Sequence, residues 1–124
     1  MRVLYVDDDR INTLLFEETC RFVGDVQLET AGSGAEALAL AAGFLPQLLV
    51  IDLHLPDTTG YRLLGALRQC LGQPDLPAYL CTAEEPQFVA QPAQDAGYNG
   101  CWPKPVSVEL VRGHLQRHGP TSSA

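Results

Sequence analysis

The stretch LLVIDLHLPDTTG, residues 48–60, places an aspartate directly after four consecutive apolar residues. A strand that is apolar at every position is typical of a parallel sheet covered by helices, because both of its faces are buried. The sequence therefore predicts that Asp52 follows a buried central strand. A carboxylate there needs a partner from elsewhere in the chain, since burying an unpaired charge is costly.

Other runs of strand length flank this stretch at fairly even spacing. They are residues 3–6, 26–30, 78–81 and, more weakly, 98–102. Residues 3–6 and 78–81 are also continuously apolar, which predicts central strands. Residues 26–30 alternate between apolar and polar side chains, which is typical of an edge strand.

Segments with the helical period separate these runs. They cover residues 12–23, 33–42, 59–71, 86–96 and 107–118. The sequence SGAE at 33–36 has the pattern of a capping box at a helix start. We expect the helix at 86–96 to be short or kinked, because Pro92 lacks a backbone N–H. The alternation predicts a doubly wound α/β fold, in which helices cover both faces of a five-stranded parallel sheet.

The composition is that of an ordinary globular domain, with 124 residues, 46% hydrophobic residues and a net charge of −7. We expect one domain at residues 1–118 and a disordered tail at residues 119–124. The acidic charge, with no run of Lys or Arg, argues against direct binding to nucleic acid. No apolar stretch is long enough to cross a bilayer and no signal-peptide pattern is present, so we expect a cytoplasmic protein that does not bind membranes.

The cysteines and histidines give no sign of a zinc site. Cysteines occur at Cys20, Cys70, Cys81 and Cys101, without the paired spacing that zinc sites use. We expect them to be buried, reduced thiols, since each lies in or beside an apolar stretch. His114 and His118 are four residues apart on a predicted helix, and we expect them on its exposed face.

Polar residues follow most of the predicted strands, and parallel topology would bring them to one edge of the sheet. The groups collected there would be Asp7, Asp8 and Asp9 after the first strand, Asp52 after the third, Thr82 after the fourth and Lys104 after the fifth. Carboxylate oxygens are ligands that Mg²⁺ prefers, and a lone carboxylate can attack phosphorus. A lysine and a hydroxyl can stabilise the charge of a phosphoryl group. Simpler roles stay open for two residues, because Asp9 and Thr82 could each cap a following helix.

These motifs resemble the receiver domain of two-component response regulators over about residues 2–118. The matching segments are VDDD at 6–9, LLVIDLHLPDTTG at 48–60, LCTA at 80–83 and PKP at 103–105. The resemblance implies a flavodoxin-like fold of the receiver type. It also implies a phosphoacceptor function in a two-component system or phosphorelay, with Asp52 as the phosphoacceptor and a cis peptide bond between Lys104 and Pro105.

The resemblance also implies how the remaining site residues act. Asp8 and Asp52 would bind Mg²⁺ directly, Asp7 would act through water, and the backbone carbonyl of His54 would be a further ligand. Thr82 and Lys104 would contact oxygens of the phosphoryl group. The side chains of His54 and Glu84 would flank the path of the hydrolytic water and tune the lifetime of the phosphoryl group.

Partners follow from the same resemblance. The phosphoryl group would come from a phosphohistidine on a sensor histidine kinase or on a histidine phosphotransfer protein. The surface formed by the fourth helix, fifth strand and fifth helix would then change and bind an effector protein or a second copy of the chain. Such a domain loses its phosphoryl group slowly to water and is not a multiple-turnover enzyme.

Cys101 departs from the pattern of many receivers, which carry Tyr or Phe three residues before the lysine. Trp102 is adjacent, but neighbouring strand residues face opposite sides of a sheet, so it cannot simply substitute. We therefore expect the fourth helix, weakened by Pro92, to carry the signal in place of an aromatic side chain.

Two other functions remain open. A degenerate receiver could act as an unphosphorylated docking module, which Cys101 leaves possible. Alternatively, the Asp-x-Asp pattern after the first strand resembles haloacid dehalogenase phosphatases, with Asp7 as nucleophile and Asp9 as general acid. That family needs a late acidic pair, whereas only Glu109 follows Lys104, and Asp52 would have no role.

Overall fold

The computed structural model describes residues 1–118, in which strands and helices alternate from end to end. The strands are β1 (Arg2–Val6), β2 (Gln27–Ala31), β3 (Leu48–Asp52), β4 (Ala78–Thr82) and β5 (Gly100–Pro103). The helices are α1 (Arg10–Val23), α2 (Gly34–Phe44), α3 (Gly60–Leu71), α4 (Pro86–Ala96) and α5 (Val108–His118). The tail expected at 119–124 lies outside the described residues.

The five strands form one parallel sheet in the order β2-β1-β3-β4-β5, which confirms the predicted fold class. Every residue of β3 and β4 is buried, as their continuous apolar character requires. Strand β2 lies at the edge and alternates between exposed and half-buried residues up to Ala31, which is buried. The strand order reverses between β1 and β3, and this is where open α/β sheets form a ligand crevice.

Two apolar cores lie on opposite faces of the sheet. Residues of α2, α3 and α4 pack on one face, and residues of α1 and α5 pack on the other. Adjacent strand residues therefore enter different cores: Cys101 packs against the first, whereas Trp102 lies in the second, stacked on Tyr79 at 4.2 Å between ring centroids. Trp102 thus faces away from Cys101, as the alternation predicted.

The helix starts agree closely with the capping signals in the sequence. The Asp9 carboxylate accepts hydrogen bonds from the backbone N–H groups of Ile11 and Asn12, so Asp9 is the N-cap of α1. The Ser33 hydroxyl accepts one from Glu36 N at 3.1 Å, which caps α2. The Glu36 carboxylate accepts from Gly32 N rather than from Ser33, so the capping box is closed one residue earlier than its sequence pattern suggests.

The helix predicted at residues 86–96 is present with those bounds, as α4, but it is not short. Helix α4 has 11 residues, as many as α2 and α5, and it continues through Pro92. Pro92 lies on the exposed face, while Val89 and Ala93 are buried against the sheet. Burial of that apolar face offsets the missing backbone hydrogen bond, because tertiary packing contributes most of a helix's stability.

Two expectations about reactive side chains were also wrong. His114 is buried and not exposed, because α5 turns the face that carries Val111 and His114 toward the sheet. Its Nδ1 lies 3.3 Å from the Tyr79 hydroxyl. Cys70 is exposed on the outer face of α3, and Cys101 is only half-buried, whereas Cys20 and Cys81 are buried as predicted. Within residues 1–118, none of the helices is long and apolar enough to span a membrane.

Candidate functional site

Three of the four aspartates predicted to meet do so at the C-terminal edge of the sheet, whereas Asp9 caps α1 instead. Asp7 directly follows β1 and Asp52 ends β3, and because Val6 pairs with Ile51 the two aspartates lie side by side. Asp8 joins them from the loop after β1. One oxygen from each of Asp7, Asp8 and Asp52 lies within 4.8 Å of the others, so the three carboxylates could hold a metal ion together.

Lys104 connects two of these carboxylates. Its Nζ lies 2.9 Å from Asp7 Oδ2 and 2.9 Å from Asp52 Oδ1. Burial disfavours the ammonium, but the hydrogen bonds and charges of Asp52 and Asp7 outweigh it and raise the pKa of Lys104. The lysine is therefore held in its charged form between the two aspartates.

Asp52 is buried in an environment that still disfavours its charge. Burial raises the pKa of Asp52, and the hydrogen bond and charge of Lys104 compensate only in part. The site contains three carboxylates and one ammonium group, so negative charge remains in excess. A cation held by Asp8, which is exposed to solvent, would relieve that excess.

Both carboxylate oxygens of Asp7 have partners in the chain. Its Oδ2 accepts a hydrogen bond from the Tyr5 hydroxyl at 2.8 Å as well as contacting Lys104, and its Oδ1 accepts from Asp9 N at 2.9 Å. The Tyr5 ring stacks on the Phe16 ring, with 4.2 Å between the ring centroids, and this fixes its orientation. Sequence reasoning missed Tyr5, although a tyrosine two residues before Asp7 on a strand lies on the same side of the sheet.

Thr82 ends β4 and is buried beside Lys104. Its hydroxyl accepts a hydrogen bond from Glu84 N at 3.1 Å. Helix α4 begins at Pro86 with Glu85 as its N-cap, so Thr82 does not cap that helix. The hydroxyl remains positioned to donate its own proton to a group at the sheet edge.

His54 and Glu84 face each other near the entrance of the site. His54 Nε2 lies 3.6 Å from a Glu84 carboxylate oxygen, and both side chains are largely exposed. The loop from residue 53 to residue 59 also pairs His54 with Thr59 through an isolated bridge. The two side chains are thus close enough for both to contact one solvent molecule.

Cys101 lies next to an opening at the same edge. A cavity of about 290 Å³ is bordered by Thr82, Val89, Cys101 and Lys104, with other residues of the β4–α4 loop and β5. Burial raises the pKa of the Cys101 thiol. The peptide bond between Lys104 and Pro105 is cis, as the resemblance implied.

Asp57 is a further residue whose role the sequence did not indicate. It lies in the turn before α3, and its carboxylate accepts hydrogen bonds from the backbone N–H groups of Gly34 and Ala35 on α2. The partners are more than twenty residues away in sequence, so local patterns could not identify this contact.

Comparison with known proteins agrees with this geometry. The family model for the response regulator receiver domain matches residues 3–116. The response regulator MprA of Mycobacterium leprae (strain TN) is 33% identical over 128 residues, covering 100% of this chain and 55% of that protein. The virulence sensor protein BvgS of Bordetella pertussis is 30% identical over 120 residues, covering 93% of this chain and 10% of that protein. The chain thus spans about half the length of MprA.

Solved structures show the same architecture. The chemotaxis response regulator CheY4 of Vibrio cholerae superimposes with a TM-score of 0.80 at 30% sequence identity, covering 94% of this chain and 96% of that chain. The similarity therefore extends over the sheet, the helices and the edge that carries the aspartates.

Proposed function

This chain belongs to the family of response regulator receiver domains, and we propose that it accepts a phosphoryl group on Asp52. The observation that supports this most strongly is the position of Lys104, whose Nζ lies 2.9 Å from Asp52 Oδ1. A lysine there can contact an oxygen of a phosphoryl group attached to that aspartate. Charge compensation of this kind lowers the barrier to phosphoryl transfer.

Asp52 is a better nucleophile than Asp7 because fewer donors occupy its oxygens. Asp7 accepts hydrogen bonds from Tyr5, Asp9 and Lys104, which withdraw charge from both of its oxygens. Asp52 accepts contacts from Lys104 and from the backbone of Leu53, while burial still raises its pKa. This difference favours the receiver function over a phosphatase that would use Asp7.

The donor set fits Mg²⁺ as cofactor. Three carboxylates that converge within 4.8 Å offer hard oxygen ligands, and the exposure of Asp8 leaves room for the waters that Mg²⁺ retains. In this proposal Asp8, Asp52 and the His54 carbonyl hold the ion, and Asp7 acts through water. When bound, Mg²⁺ would neutralise phosphoryl oxygens and orient the phosphoryl group toward Asp52.

The transfer would proceed in line at phosphorus. A bond forms between an Asp52 carboxylate oxygen and phosphorus while the bond between phosphorus and a histidine nitrogen of the donor breaks, and that nitrogen keeps the electron pair. Lys104 would shift from Asp52 toward an oxygen of the incoming phosphoryl group. The Thr82 hydroxyl would donate a hydrogen bond to another.

Response regulators as a family interact with histidine kinases. For this chain we expect the donor to be a sensor histidine kinase or a histidine phosphotransfer protein in the cytoplasm. The domain would act once per phosphoryl group and not as a multiple-turnover enzyme. Hydrolysis of the acyl phosphate would then end the signal, at a rate tuned by the side chains of His54 and Glu84.

The output would be read on the face formed by α4, β5 and α5. Occupation of Asp52 would draw Thr82 toward the phosphoryl group and pull on the β4–α4 loop, which borders the cavity beside Cys101. An effector protein or a second copy of the chain would recognise the altered face. The net charge of −7 makes nucleic acid an unsuitable direct partner.

Intact-mass analysis after incubation with acetyl phosphate tests the proposal. We expect one phosphoryl adduct that requires Mg²⁺ and is lost in Asp52→Asn but retained in Asp9→Asn. An adduct that persists in Asp52→Asn and disappears in Asp7→Asn would support the phosphatase alternative. A wild-type protein that forms no adduct, and does not bind beryllofluoride with Mg²⁺, would support the docking module.

A further inference from the structure

The turn between β3 and α3 is tied to the start of α2 by one side chain. Asp57 Oδ1 accepts a hydrogen bond from Gly34 N at 2.9 Å, and Asp57 Oδ2 accepts one from Ala35 N at 2.9 Å. These are the first two N–H groups of α2, which have no partner within their own helix. Ser33, the local N-cap, instead binds Glu36 N. Helix α2 is therefore capped twice, once by its own chain and once by the site loop.

The packing at this contact leaves no room for a Cβ at Gly34 unless Thr58 shifts. A Cβ added to Gly34 would lie 2.7 Å from Thr58 Cγ2 and 3.3 Å from Asp57 Oδ1. A glycine at this position lets the loop reach the helix backbone. The N–H groups of Gly34 and Ala35 hold the pKa of Asp57 below its usual value, so the carboxylate is charged at neutral pH.

The same loop is fixed independently at its other end. Gly60 N donates to Leu53 O at 2.8 Å, and the Tyr98 hydroxyl donates to Gly60 O at 2.7 Å. A Cβ on Gly60 would lie 2.6 Å from the backbone oxygen of Asp52. The loop from residue 53 to residue 59 thus leaves Asp52 and returns beside it. It is closed on itself by the bridge between His54 and Thr59 and by a hydrogen bond from Leu55 N to Thr58 O, and Asp57 ties it to α2.

We propose that Asp57 is a positioning residue that ties the loop at residues 53–59 to α2 and thereby sets the affinity of the site for Mg²⁺. This inference rests on the proposed function, because it concerns the metal site assigned there. In this proposal Asp57 is not a ligand of the ion; it holds the loop whose His54 carbonyl would bind. Residues that orient metal ligands from outside the coordination shell commonly change metal affinity tenfold or more when they are replaced.

The test compares Asp57→Ala with Ser33→Ala. Both variants remove capping hydrogen bonds from α2, but only the first releases the loop. Two quantities are measured for each: amide exchange of residues 53–59 without metal, and the Mg²⁺ dissociation constant by titration calorimetry. We expect Asp57→Ala to accelerate loop exchange and to raise the dissociation constant by about tenfold. Ser33→Ala should leave both near the wild-type values.

A conservative variant provides a second comparison. Asp57→Asn keeps one acceptor oxygen, so it should retain one of the two hydrogen bonds and give an intermediate dissociation constant. It also carries the test if Asp57→Ala does not fold. Wild-type loop exchange and wild-type Mg²⁺ affinity in the Asp57 variants would overturn the proposal, as would an equal loss of affinity in Ser33→Ala.

The outcome also separates this inference from the proposed function. If the wild-type protein itself does not bind Mg²⁺, the metal site of the proposed function is wrong, and the role of Asp57 toward the metal is wrong with it. If the wild-type protein binds Mg²⁺ and Asp57→Ala binds it equally well, only the positioning role of Asp57 is wrong.

Discussion

At the scale of single residues, Asp52 combines burial with a charge that its surroundings disfavour. Its raised pKa, due first to burial and only partly offset by Lys104, means that the folded metal-free protein binds a proton at Asp52 more readily than the unfolded chain does. This group therefore favours folding at acidic pH, and the effect is lost as pH rises through its folded pKa. At neutral pH the ionised Asp52 is a source of instability that a cation would relieve.

This reasoning predicts that Asp52→Asn makes the metal-free protein more stable at neutral pH. Urea denaturation with EDTA should show a higher midpoint for the variant than for the wild type. Mg²⁺ should stabilise the wild type by about 2.7 kcal/mol at a hundredfold excess over its dissociation constant, and should have little effect on the variant. A lower midpoint in EDTA would contradict the electrostatic account of the site.

The four cysteines should differ widely in reactivity. Burial raises the pKa of Cys20 and of Cys81 to about 12, and Cys101 is half-buried with a raised pKa. Cys70 is exposed on α3, so a thiol reagent such as Ellman's reagent should modify it first at neutral pH. The fast phase should vanish in Cys70→Ser and persist in Cys101→Ser; the reverse pattern would mean that the cavity beside Cys101 is open to reagents.

The positions of residues were predictable where the signal was local. Asp52 and Lys104 lie at the sheet edge where the strand pattern predicted them, and Asp9 caps α1, one of the two roles left open for it. The positions of Asp57 and His114 were not predictable, because their partners lie on other elements: Asp57 binds α2, and His114 packs on Tyr79 of β4. The direction in which a helix turns its polar residues depends on neighbours that the local sequence does not specify.

At the scale of elements, α4 has few stabilising interactions within its own segment of sequence. Within the described chain, no side chain caps its N-terminus, and Pro92 lies in its interior. The helix is held mainly by Val89 and Ala93, which are buried. This explains why the sequence predicted the bounds of the helix but not its continuity through Pro92: the capping and propensity signals are poor, and the packing that compensates for them is tertiary.

Restoring the missing hydrogen-bond donor should strengthen α4. Pro92→Ala is expected to raise the free energy of unfolding by up to about 3 kcal/mol, the cost of proline in a helix interior. Because Pro92 is exposed, the change should not disturb the core. Urea denaturation measures the effect, with Pro86→Ala at the first helical position as a control expected to be nearly neutral; a destabilised Pro92→Ala would show that the helix is shaped around the proline.

The same element is expected to respond to phosphorylation. Amide exchange across residues 84–101 should change when beryllofluoride and Mg²⁺ are added, since Thr82 and the β4–α4 loop would move toward the bound group. Residues 34–44 of α2 provide an internal reference that should change less. Identical exchange across residues 84–101 with and without the analogue would rule out α4 as the element that carries the signal.

At the scale of the whole molecule, the sheet explains why distant residues form one site. Parallel strands with helical crossovers bring their C-terminal ends to the same edge, so Asp7, Asp52, Thr82 and Lys104 meet although about a hundred residues separate the first from the last. Continuous apolar runs predicted the central strands β1, β3 and β4, and the alternating run predicted β2 at the edge. The order of the strands could be predicted only through the family resemblance, because periodicity carries no information about which strands are neighbours.

The central claim is that Asp52 is the residue that accepts the phosphoryl group, and its most direct test maps the modified residue in the wild-type protein. After incubation with acetyl phosphate and Mg²⁺, borohydride reduces an aspartyl phosphate to homoserine, which peptide mass spectrometry locates in the chain. The account predicts homoserine at position 52 and unmodified aspartate at positions 7, 8 and 9. Homoserine at position 7, or at none of these positions, would contradict it.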